Sequence, residues 1–147
     1  MNETLDLALR INSEWVNFYS AMAYPGSQLY PLAQKNKWEL PDDKGGPGWI
    51  GYSQHSYDTL PLRTNHLKAS EVLDFRDKAF DTYFNSNDYL SMIKNKFGED
   101  TKSHILKMSE HKLKRKHHEQ GRNEFLQIHV VFSLQDTTRH CKSSRDR

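Results

Sequence analysis

The sequence of 147 residues holds one cysteine, Cys141. A lone cysteine cannot close an internal disulfide, which excludes the stapled framework of small secreted domains. It also cannot supply a multi-cysteine zinc or iron–sulfur site. No apolar run approaches the roughly 20 residues that span a bilayer. The opening MNETLDLALRINSEW carries early acidic residues and no long apolar stretch, so it does not read as a signal peptide. Cytoplasm is the expected compartment. An excess of one charge is missing too: the formal net charge is +2, too close to zero to imply a polyanionic partner. Hydrophobic residues make up only 35%, which points to a small core and a polar remainder.

Aromatics, by contrast, are plentiful at 12%, which argues against general disorder. Residues 2–12 read as an amphipathic helix with Leu5, Ala8 and Leu9 on one face and Asn2 as its cap. EWVNFYSAM (14–22) reads as a buried strand, because apolar side chains occupy both parities. Pro25-Gly26 ends it in a turn, and Ser27 is the expected cap of a second helix, SQLYPLAQKNK. From Trp38 to Leu62 no period is visible, although three prolines, four glycines, Trp38, Trp49, Tyr52 and Tyr57 fall there. Aperiodic loops of that length are uncommon and often functional.

Three helical patterns follow. Val72, Phe75, Ala79 and Tyr83 mark the first, with Ser70 as the expected cap. Tyr89, Leu90, Ile93 and Phe97 mark the second, which Gly98 stops. The third begins at Glu99, carries Ile105 and Met108, and fades near Leu113 into the basic run HKLKRKHHEQGR (111–122), read as a frayed, solvated helix. Residues 120–147 read as a polar, disordered tail with one β-like run, FLQIHVVFSL.

None of these patterns spells out a catalytic motif. His104 and His111 lie seven apart, but the paired histidines of HExxH are absent, so solvated histidines are the simpler reading. Ser53, His55 and Asp58 sit too close together for a nucleophilic triad, and no GxSxG elbow precedes them. DDKGGPG (42–48) lacks the spacing and the Lys-Ser/Thr of a phosphate loop. No catalytic or metal-ligating residue is assigned.

The stretch NSEWVNFYSAMAYPGSQLYPLAQKNKWELP, followed by GYSQHSYDTLPL and LSMIKNKFGEDTKSHILKMSEHKLKRK, resembles the C-terminal part of radical S-adenosylmethionine proteins of the cobalamin-binding type. The likeness covers roughly residues 1–118. It implies a mainly α fold with one or two strands: the C-terminal fragment of an α/β, TIM-like barrel followed by a helical extension. Residues 1–36 would be the last βα elements of the barrel, 37–65 an aromatic loop, 66–119 the helical extension and 120–147 the tail. Proteins of that family use S-adenosylmethionine, a [4Fe–4S] cluster and cobalamin. The resemblance places Ala23, Tyr24, Pro25 and Gly26 beside the cofactor, and Tyr52, Gln54, His55 and Tyr57 along the substrate loop. The CxxxCxxC motif that holds the family's cluster is absent, so no cofactor is expected in this chain. It is expected to be inactive alone, with the missing N-terminal portion of such a protein as its partner. The alternative is a small helical binding module that uses residues 111–122 for nucleic acid or an acidic surface, which the near-neutral charge disfavours. A plain helical domain with no site is the third reading.

Overall fold

The computed structural model describes residues 1–116 and is mainly helical. Five α-helices run in order: α1 (Asn2–Ile11), α2 (Leu29–Lys35), α3 (Ala69–Phe84), α4 (Asn87–Phe97) and α5 (Glu99–Ser109). A 3-10 turn, Gly48–Tyr52, lies within the long loop. Among the described residues no helix is long and apolar enough to cross a membrane.

Helix α3 is the centre of the packing, touching α1, α4 and α5. Its inner face presents Val72, Leu73, Ala79, Tyr83 and Phe84. Tyr83 and Phe84 join Tyr89 and Ile93 of α4 in one core, flanked by Leu9, Val16, Phe18 and Ile105. The rings meet edge-on or tilted, with Tyr83–Tyr89 and Phe84–Tyr89 centroids each 5.1 Å apart. Such offset geometries align ring edges with ring faces and add to the area buried. A second, smaller core gathers Ala23, Ala33, Leu40 and Leu62, so that the turn after residue 23, α2 and the two ends of the long loop close on one another.

Helix ends follow local chemistry in part. Ser86 caps α4, its hydroxyl accepting from the Tyr89 N–H, and Gly98 ends that helix as its pattern requires. Gly98 has φ 90° and ψ 172°, a region open essentially to glycine alone. Gly98→Ala is expected to cost about 1–3 kcal/mol, although a Cβ there meets no neighbour within 4 Å. A lowered urea midpoint with unchanged slope would show it. Three expected caps are corrected. Met1, not Asn2, stands at the head of α1. Lys68, not Ser70, precedes α3, where the Glu71 carboxylate accepts from the Lys68 N–H at 2.7 Å. Gln28, not Ser27, precedes α2, and the Ser27 hydroxyl is buried without a partner among the described residues.

The strand expected over 14–22 is also corrected: the segment lies outside the helices, and no strand is assigned among the described residues. Side chains replace the missing ladder. Tyr83 Oη donates to the Ser13 carbonyl at 2.6 Å, and Tyr89 Oη to that of Glu14 at 3.1 Å. Arg76 Nε donates to the Phe18 carbonyl at 2.9 Å. The Gln54 amide does most of what a neighbouring strand would do: its Oε1 accepts from the Ser20 N–H at 3.0 Å and its Nε2 donates to the Ser20 carbonyl at 2.9 Å. One backbone bond, from the Leu62 N–H to the Ala21 carbonyl at 2.9 Å, completes the set. Buried peptide groups need partners of some kind, and a sheet is only one source of them.

Candidate functional site

The aromatic loop and the turn before α2 meet. The Tyr24 ring stacks on Tyr52, with centroids 5.2 Å apart and planes 28° from parallel, and its hydroxyl donates to the Tyr52 carbonyl at 3.3 Å. Tyr52 is buried, and its hydroxyl donates to Asp42 Oδ1 at 2.7 Å, while Tyr30 donates to Asp42 Oδ2 at 2.5 Å. These two phenols hold the Asp42 carboxyl below its ordinary pKa, Tyr30 most strongly. Burial first, and then the Asp42 hydrogen bond, push the Tyr52 phenol far up, so it remains a donor at any physiological pH. Gly51 lets the loop backbone pass under two prolines: a Cβ there would lie 2.6 Å from Pro47 Cγ and 2.8 Å from Pro41 Cβ.

The four residues assigned to the cofactor side sit at this junction. Ala23 is buried in the small core. Pro25 and Gly26 form a turn closed by the Ser27 N–H on the Tyr24 carbonyl at 3.0 Å, with Gly26 at φ +86°. Tyr24 is half-exposed against Tyr52. Of the substrate-loop residues, Gln54 turns inward onto Ser20, whereas His55 and Tyr57 face outward. Tyr24 and Tyr52 are therefore brought together, while His55 belongs to a different locality.

That locality is built around Arg115, which is 1% exposed. Its guanidinium makes five hydrogen bonds. Nε and Nη2 grip both oxygens of Asp77, each at 3.0 Å. Nη1 reaches the Ser56 carbonyl at 2.9 Å and Thr59 Oγ1 at 2.8 Å, and Nη2 reaches the Gln54 carbonyl at 2.9 Å. All five donors of the fork are thus used, and the carboxylate contact is bidentate. Arg76 Nη1 adds a third cationic contact to Asp77 at 2.7 Å, and its guanidinium lies 5.7 Å from the Phe80 ring centroid. Burial alone would raise the Asp77 pKa, but the two guanidiniums outweigh it and hold the carboxyl below its ordinary value. His55 beside them is held below the usual imidazole pKa by partial desolvation and by the charges of Arg76 and Arg115.

This arrangement corrects the reading of the basic run. Residues 111–115 are not helical, and residues 110–116 instead form a strap across α3 to the loop. Lys112 pairs with Asp81 at 2.6 Å and Lys116 with Asp58 at 3.6 Å, while the Lys116 N–H donates to the Tyr57 carbonyl at 3.0 Å. Between strap and helix lies a cleft of about 380 Å³, lined by His55, Phe80, Asp81, Met108, His111 and Leu113 among others. Residues 117–122 of the basic run, and the β-like run and tail after them, lie outside the described residues.

Sequence reasoning missed Asp77, Arg76, Thr59 and Arg115. Arg76 left a trace, since it falls on the same α3 stripe as Val72, Ala79 and Tyr83, where an apolar residue would be expected. Arg115 left none, standing between His111 and His117 among three other cations, Lys112, Lys114 and Lys116, alike in kind. Among the described residues no three His, Cys, Asp or Glu side chains gather to hold a metal ion. No family model, curated protein or solved structure matches the chain.

Proposed function

We propose that this chain is the helical C-terminal portion of a radical S-adenosylmethionine protein of the cobalamin-binding type, a non-catalytic cap for a barrel carried by another portion or chain. The sequence likeness motivates the reading. The observation that carries it is the set of large apolar side chains left exposed near the start of the chain: Leu7, Ile11, Trp15 and Tyr19 are 50%, 64%, 55% and 62% exposed. Helix α1 packs Ala8 and Leu9, partly buried, against the main core, while Leu7 and Ile11 stay exposed. Large apolar side chains left in water are candidates for an interaction site.

The residues present do not fit the family's cluster. Three thiolates are needed to hold it, and the sequence supplies one cysteine. No step through a cluster, or through the cofactors that depend on it, is derived for this chain. Its own residues do something simpler. The Tyr24–Tyr52 stack and the Asp42 bridge hold the turn at Pro25-Gly26 rigidly against the loop.

Anaerobic reconstitution of this chain with iron and sulfide should give no stoichiometric cluster absorbance. Co-expressed with a barrel portion that carries CxxxCxxC, the chain should co-purify with it, and Trp15 should become shielded from a soluble quencher. A full cluster on the isolated chain would sink the proposal. So would association that survives Trp15→Ser with Tyr19→Ser unchanged. The alternative of a basic binding surface draws little from residues 111–116, where Lys112, Arg115 and Lys116 are engaged with Asp81, Asp77 and Asp58.

A further inference from the structure

We propose that residues 110–116 are a releasable latch, with Arg115 as its bolt, that sets the conformation of the Gln54–Thr59 loop and walls the cleft on α3. The inference rests on the geometry of the strap and is independent of the radical S-adenosylmethionine reading.

The strap has little else to hold it. It follows α5 without helical structure, and residues 111–114 are exposed. Its other fastenings include the Glu110 N–H on the Leu106 carbonyl, the His111 N–H and ring on the Met108 and Lys107 carbonyls, the Lys116 N–H on the Tyr57 carbonyl, and the two surface pairs of Lys112 and Lys116. Exposed ion pairs of that kind contribute little, because water and salt screen them. Arg115 alone reaches into the interior. The loop depends on the same residue from the other side. Its Gln54 and Ser56 carbonyls and its Thr59 hydroxyl all converge on one guanidinium. The loop also has bonds of its own, from Gln54 to Ser20 and from Thr59 Oγ1 to the Ser53 and Ser56 carbonyls, so Arg115 adds to its order while it supplies most of the strap's.

Release need not unfold the helices. The main core of Tyr83, Phe84, Tyr89 and Ile93 contains no strap residue. Asp77 keeps Arg76 when Arg115 leaves, so no buried carboxylate is stranded. Freed, Arg115 returns to water with its neighbours in the basic run. The open state loses the wall formed by His111, Lys112 and Leu113, so the cleft opens on that side. The loop carrying His55 and Tyr57 loses its three Arg115 contacts and the Lys116 backbone bond in the same step and loosens. Any event that pulls on or cuts the strap thus controls the loop and the cleft together. Small sub-global openings of this sort are ordinary in native proteins, and the elements they free tend to be functional ones.

The test uses the full chain. In hydrogen exchange of the unaltered protein, the Thr59 and Lys116 amides should open with one common equilibrium constant. That constant should exceed the opening constant of the α3 and α4 core amides by at least about tenfold. Arg115→Ala should speed tryptic cleavage after Lys112, Lys114 or Lys116 by at least about tenfold while the helical circular dichroism stays unchanged. The His55 imidazole, relieved of one facing cation, should titrate at higher pH by nuclear magnetic resonance. Arg115→Lys, which keeps the charge and cannot make the fork, should fall between. Lys112→Ala with Lys116→Ala should leave loop exchange near the unaltered value. Three results would overturn the latch: Thr59 and Lys116 amides that open only with the global transition, opening constants for the two that differ, or an Arg115→Ala protein whose loop exchange and His55 titration are unmoved.

Discussion

Replacing Tyr83 by alanine should cost about 3–5 kcal/mol, the largest single effect expected of any substitution in the described residues. Tyr83 is fully buried at the meeting point of Phe18, Phe84 and Tyr89, with ring centroids 6.0, 5.2 and 5.1 Å away. Truncation removes a ring's worth of contacts from all three neighbours and leaves a cavity that α3 and α4 cannot close without moving. It also removes the hydroxyl that satisfies the Ser13 carbonyl at 2.6 Å. A domain of this size has about 5–15 kcal/mol in total, so the alanine protein should be near unfolding at room temperature. Tyr83→Phe separates the two contributions. It keeps the packing and strands one carbonyl, which should cost about 1–2 kcal/mol. Urea denaturation of the three proteins checks both, and the phenylalanine protein should show faster exchange of the segment after residue 12 than of α4. Equal midpoints for the unaltered and alanine proteins would mean that the aromatic core does not hold the fold.

Asp77→Asn should have the next largest effect, about 3 kcal/mol. The carboxylate is shared by two guanidiniums whose side chains are 7% and 0% exposed, so the substitution leaves two buried cations without it. Arg115 can escape by releasing the strap, which keeps the cost toward the low end of what a broken buried pair entails. Arg76 has no such route. It is fixed on α3 and holds the Phe18 carbonyl.

The same pair sets an acid dependence. The Asp77 pKa is lowered in the folded chain: burial raises it, and the Arg115 and Arg76 contacts more than reverse that. A carboxyl with a depressed folded pKa stabilises the fold fully above its unfolded pKa of about 4. That contribution is lost as pH falls through the lower, folded value. The stability difference between the unaltered and asparagine proteins should therefore be constant near neutrality and shrink below about pH 4. A difference that is flat down to strong acid would show that the ion pair does not stabilise the fold.

How much of this was legible beforehand depends on the range of the interaction. Helices α1, α3, α4 and α5 announce themselves through apolar residues three and four apart, and Gly98 marks its own role, whereas the Ser86 cap was not read. The caps at Ser27 and Ser70 were misplaced because a serine near a helix start is a frequent signal, not a requirement. The reading of 14–22 as a strand identified an aromatic, partly buried segment but not its structure or its partners. Trp15, Val16, Phe18 and Tyr19 favour an extended backbone; they carry no record of whether a strand or a glutamine amide will satisfy it.

The sequence by itself determined a mainly helical chain with a small aromatic core, because helical periodicity and helix stops are written within a few neighbouring residues. Only the tertiary structure decided that Gln54 would stand in for a strand 34 positions away, and that Arg115 would leave a basic run to close on Asp77, 38 positions away. Both outcomes turn on the same physical fact. A buried peptide group or charge must find a partner of the right geometry, and many side chains can serve. Which one does is set by how the helices pack, and that is not contained in any local stretch of the chain.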